Sequence, residues 1–258
     1  MKPTDVVLML ILNLPVVFGI VSLILYRKKI LTALHLDRWS FLQLMSGILI
    51  PLVAVSVAFS AYWIFGLVDI QNVHFDILKF FNTLKGFTIA ALFEEIIFRA
   101  GLLIGLIQLT KNKWLAISLS SVFFGLGHAF NPGATPLSII SNAIGGIMYS
   151  LAFLQSGRIW MALSLHIFWN FSQAFYGFLV SGLSIGNTMF ITQTTQGSTI
   201  FTGGAYGFEG GIIAIGARML IIVLILFTMK YLSQQTPEIQ KNVAAILPPT
   251  LQKSPNFV

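Results

Sequence analysis

The chain has no cysteine in 258 residues, and only 9% of its side chains are charged. The first absence removes disulfides, thiolate nucleophiles and Cys-ligated metals. The second removes the solvated surface of a soluble domain, which carries about 25% charged residues. Acidic residues are the scarcest class, eight Asp and Glu against fifteen Lys and Arg. What fills the space is apolar: 56% of residues are hydrophobic and the mean hydropathy is +0.87. These values describe an integral membrane protein with a single embedded domain. The net charge of +7 does not indicate nucleic-acid binding. The basic residues stand singly or in short groups beside apolar spans, with no folded basic face.

Runs of about 20 apolar residues cross a bilayer as helices. The hydropathy pattern predicts an all-α membrane bundle of seven spans: 6–26, 41–67, 86–109, 114–130, 137–154, 159–180 and 210–232. An eighth follows if 86–109 is split. The first span is too long for the apolar core of a signal peptide and lacks a small-residue cleavage site, so it reads as a retained anchor. Phe75, Leu78, Phe81 and Leu84 recur at helical spacing, predicting an amphipathic helix at the membrane interface before the third span. Residues 181–209 are polar and Gly/Thr-rich, a loop of the length that lids have. The transmembrane domain is expected over 1–232, and 233–258 reads as a disordered polar tail. With the N-terminus outside and the C-terminus cytoplasmic, most basic residues fall on the cytoplasmic side.

Against this apolar background the stretch ALFEEIIFRAGLL, residues 91–103, holds Glu94, Glu95 and Arg99. An ionised group at mid-bilayer costs about 2.5–3.5 kcal/mol on insertion scales. Glu95 and Arg99 are four apart with the acid N-terminal, the favourable order for a helical ion pair. Glu94 points about 100° away on an ideal helix and is left over. A carboxyl buried without a cation resists ionisation, which suits a general base.

Partners for that base lie in later spans. His128 follows Phe124 by four residues in FFGLGHAF, and Asn170 follows His166 by four in LSLHIFWNF. Each pair therefore shares a helix face. His35 and His74 sit in polar surroundings and read as solvated. A glutamate, two histidines and an amide can activate water and stabilise the oxyanion formed at a peptide carbonyl. Ser164 and Ser172 lack a nucleophile elbow, and no H-E-x-x-H zinc motif is present. Glu94, His128 and His166 could still supply the three ligands of a catalytic zinc. The runner-up is a non-proteolytic membrane protein, a bacteriocin immunity factor or a proton-coupled transporter, since intramembrane Glu and His also serve proton relays.

EEIIFR, Phe124 to His128 and His166 to Asn170, in this order on successive spans, resemble the EExxxR, FxxxH and HxxxN motifs of the CAAX prenyl endopeptidase and bacteriocin-processing (Abi) membrane proteases. The resemblance covers about 86–175. TGGAYGFEGGIIA, 202–214, is similar to the Gly-rich entry to the last helix in bacterial members. The resemblance implies an intramembrane endopeptidase of the bacterial inner membrane. Glu94 is then the base, His128 holds the water, His166 and Asn170 form the oxyanion site, and Glu95, Arg99 and Phe124 support them. It also implies a membrane-associated peptide substrate, lipidated or of bacteriocin type, and a mechanism with no required cofactor, zinc being the alternative.

Overall fold

The computed structural model describes residues 3–185, 189–195 and 199–252, without side-chain detail for 3–12 and 232–235. α1 (Pro3–Leu25) and α2 (Arg27–Leu34) lead to α3 (Ser40–Ile64). A strand, β1 (Val68–Val73), precedes α4 (Ile77–Glu95), which begins where the Asp76 carboxylate accepts hydrogen bonds from the Leu78 and Lys79 amides. Such a cap satisfies two of the four free N–H groups of a helix start. α4 continues without a break into a π-helical segment, Ile96–Leu103, and then α5 (Ile104–Thr110).

α6 (Lys113–Gly127) starts on the Asn112 side chain, and α7 (Pro136–Ser156) starts on a Thr135/Ser138 capping box with proline at its first turn. Gly157 ends α7 at φ +65°, where a Cβ would lie 2.5 Å from the Val243 nitrogen. α8 (Trp160–Phe175) follows. Beyond it come β2 (Phe190–Thr194), the short α9 (Thr199–Thr202), and 3-10 turns at Gly204–Tyr206 and Phe208–Gly210. α10 (Ile212–Gln235), α11 (Pro237–Ile246) and α12 (Pro249–Gln252) close the described chain.

The bundle is organised around α8, which packs against α3, α4 and α7. α1 lies along the π segment, so closely that a Cβ on Gly101 would stand 2.6 Å from the Gly19 carbonyl oxygen. α3 turns Phe41, Leu49, Val53 and Val57 outward, and α10 does the same with Met219, Val223 and Phe227. An exterior this apolar is suited to lipid, where the helices satisfy their own backbone hydrogen bonds.

Four expectations change. Among the described residues, three helices are long and apolar enough to cross a membrane, Ser40–Ile64, Pro136–Ser156 and Ile212–Tyr231. Asn13–Leu25 and Lys113–Gly127 are shorter apolar helices, so fewer than the expected seven meet that criterion. The interfacial helix is not separate: it is the first half of α4, with Leu78 and Phe81 exposed on its surface. The fold is not purely helical, because β1 pairs antiparallel with β2, from Val68 opposite Thr194 to Val73 opposite Phe190, with an irregularity between Ile70 and Asn72.

Finally, 237–252 is not a disordered tail. α11 buries Ile239, Val243 and Ile246, and Lys29 Nζ donates to the carbonyls of Ala245 and Leu247 at its C-terminal end. Residues 253–258 of the expected tail lie outside the described residues.

Candidate active site

The two glutamates stand at the last turn of α4, where the backbone passes into the π segment carrying Arg99. π-helical turns are rare and recur at functional sites. Glu95 and Arg99 are both fully buried, 3.3 Å apart. Three aromatic rings enclose the guanidinium: Phe124 at 4.4 Å, Tyr149 at 5.0 Å and Phe98 at 5.9 Å. A desolvated cation over a ring face is held by the ring's quadrupole, so Arg99 is fixed on several sides.

Glu95 has a second partner, His166, whose Nδ1 lies 2.9 Å from the Glu95 carboxylate oxygen Oε1. On the opposite side of that imidazole, Nε2 is 3.9 Å from Glu94 Oε2. His166 thus stands between the two carboxylates, its ring stacked on Tyr149 at 4.4 Å and 20°. The Glu94 side chain keeps 37% of its surface exposed, yet Oε2 is buried and accepts no hydrogen bond from the protein. The pairing expected of Glu95 with Arg99 is present, and Glu94 is the carboxylate left over.

His128 is the C-cap of α6, with Nδ1 2.8 Å from the Phe124 carbonyl oxygen. A carbonyl only accepts, so that nitrogen carries the proton, and in the neutral ring Nε2 is an acceptor. The Phe124 ring lies 4.9 Å from the imidazole it supports. One cavity of about 730 Å³ is lined by Glu94, His128, His166 and Asn170 together with Phe124 and Tyr149. By simple depth along straight spans, His128 and His166 would differ by about 10 Å at 1.5 Å per residue. Ending α6 at Gly127 and passing the chain through a turn places His128 on the same cavity. His35 ends α2 with its carbonyl accepting from the Trp160 indole, and His74 is exposed on the β1 side. Neither is among the cavity residues.

Among the described residues, no three His, Asp or Glu side chains are grouped to hold a metal ion. In both histidines Nδ1 is engaged by an oxygen, His128 by a carbonyl and His166 by a carboxylate.

Sequence reasoning missed a second polar cluster on the same cavity: Asn142, Ser181, Glu209 and Arg218. Arg218 is almost fully buried and paired with Glu209. The signal was available, since Arg218 is a lone charge inside the last apolar span, as anomalous as Arg99. Tyr149 was missed too, because a tyrosine in an apolar helix looks like core.

Residues 75–172, from just before α4 to near the end of α8, match the family model of the type II CAAX prenyl endopeptidases, Rce1-like. Over these residues the chain is similar to that family. The match covers every residue of the three motifs, so this likeness supports a CAAX-type intramembrane endopeptidase and, with the three long apolar helices, an integral membrane location. No curated protein and no solved structure matches the chain.

Proposed function

We propose that the protein is an intramembrane endopeptidase in which Glu94 activates water for attack on a peptide carbonyl. The observation that carries this reading is the placement of Glu94 beside His166, on the cavity that also receives His128 and Asn170. Glu94 has a buried oxygen with no protein donor, available to take a proton. His128, its Nδ1 proton committed to a carbonyl, offers Nε2 to a water hydrogen. Water adds to the carbonyl carbon as its proton passes to Glu94. The oxyanion is met by the Asn170 amide and by His166. Glu94 then returns the proton to the leaving amine as the C–N bond breaks.

Glu95 shapes this chemistry through His166. With Nδ1–H directed at Glu95, the ring donates from Nε2 as well only when it carries both protons. Glu95 therefore orients the histidine besides neutralising Arg99.

The substrate on this reading is a membrane-associated peptide, lipidated or of bacteriocin type. The cavity volume falls in the range of about 300–1,000 Å³ that ligand sites occupy. Its apolar walls, including Val16, Phe87, Ala90 and Phe98, suit hydrophobic side chains beside the scissile bond. We place the protein in a bacterial inner membrane with its N-terminus outside. The test is cleavage of a membrane-tethered peptide by protein reconstituted in vesicles. Wild type is expected to cleave, and Glu94→Ala or His128→Ala to be silent. Activity surviving both substitutions overturns the proposal.

A further inference from the structure

We propose that Glu209 is a positioning residue which holds the two histidine-bearing segments in register through the two oxygens of one carboxylate. The inference rests on the hydrolytic reading of the site. Glu209 lies in the 3-10 turn Phe208–Gly210 and is almost fully buried. Its Oε1 accepts from the Trp169 indole Nε1 at 2.7 Å and from Arg218. Its Oε2 accepts from the Ser181 hydroxyl at 2.5 Å. Three protein donors thus hold the carboxylate, two on Oε1 and one on Oε2, tying it to three separate segments. The role open to Glu209 is positional.

The first arm reaches His166. Trp169 sits on α8 between His166 and Asn170, and its ring is fully buried. Rotating or sliding α8 would draw the indole off Glu209, so the bond fixes where the helix presents both site residues. The second arm reaches His128. Ser181 adopts φ +50°, a left-handed conformation uncommon outside glycine. It is held there by its hydroxyl on Glu209 and by the Asn131 amide, which donates to the Ser181 carbonyl at 2.9 Å. The Asn131 N–H in turn donates to the His128 carbonyl at 3.2 Å.

Arg218 makes the buried acid tenable. It pairs with Glu209, donates to Ser141 at 2.5 Å and Asn142 at 3.1 Å on α7, and lies 4.8 Å over the Trp169 ring. The Gly-rich segment 202–214 therefore delivers one carboxylate to α8, α10 and the 181 turn together, and through Arg218 to α7.

The test separates the arms and does not depend on proteolysis alone. Trp169→Phe keeps a large ring and removes the indole donor, while Ser181→Ala removes the other. Each is expected to lower kcat about tenfold with KM within twofold. In the histidine ring NMR spectrum, Trp169→Phe should move the His166 signal and Ser181→Ala that of His128. Signals of His35 and His74 should stay fixed in both. If a variant merely melts earlier while kcat and both site signals stay at wild-type values, the positioning role is overturned. If wild type cleaves no peptide, the hydrolytic reading fails by itself, and unmoved or moved histidine signals still decide the role of Glu209.

Discussion

Glu94 and Glu95 are neighbours in sequence and differ in what surrounds them, so the same substitution should do different things. Glu95 is wholly buried against Arg99 and His166. Glu95→Gln leaves the Arg99 charge uncompensated, and breaking a buried pair from one side costs about 3–5 kcal/mol. Thermal unfolding in detergent should show that loss together with lost activity. Glu94→Gln, at a half-exposed cavity position, should leave unfolding almost unchanged. Asn170→Asp tests the oxyanion role separately, because it places an acceptor where a donor is needed. Activity should fall about 10²–10³-fold, the usual effect of losing one such donor. Unimpaired function in that variant would favour the proton-relay alternative.

At the scale of elements, two junctions carry measurable consequences. Gly101 lets α1 lie against the π segment, and Gly101→Ala would force them apart. Overpacking of this kind costs about 1–3 kcal/mol, to be read as a lower unfolding temperature. The second junction is the dock of α11. The Glu238 carboxylate accepts from the Trp39 indole and from Arg38, and Asn242 joins Arg158 to Asp37. Those hydrogen bonds from Trp39 and Arg38, with the Arg38 charge, hold Glu238 below the ordinary carboxylate range. Partial burial alone would raise Asp37, but Arg158, Asn242, the Trp39 amide and Ser40 together hold it low. Groups lowered on folding contribute stability that is complete above their unfolded pKa of about 4 and lost as pH falls through the folded value. Hydrogen exchange should therefore show α11 secure at neutral pH and released under acid. Equal protection at both would contradict the dock.

These elements also show what could be read from the chain. The EExxxR, FxxxH and HxxxN spacings were legible because each sets polar side chains, at the four-residue interval of one helix face, inside an apolar run. The β1–β2 pair was not, since strands of six and five residues acquire meaning only from a partner far along the chain. α11 carried a readable signal in Ile239, Val243 and Ile246 at helical spacing, masked by the polar residues between them. Glu209 and Arg218 were individually visible as charges, but nothing local tells that they meet.

For the whole molecule, the helices of the matched core and the flanking α1 and α10 line one cavity between an apolar exterior and two buried charge clusters. The chemistry proposed for it uses protein groups alone. Peptide cleavage should therefore persist at its full rate after exhaustive chelation, and loss restored by added zinc would contradict that. The most direct test is of Glu94. Wild type in vesicles made with ¹⁸O-water should release a product whose new carboxylate carries one ¹⁸O. Glu94→Gln, shown to be folded by an unchanged melting temperature, should form that product about 10²–10⁴-fold more slowly, as loss of a general base requires. A folded Glu94→Gln protein that cleaves at the wild-type rate would contradict the account.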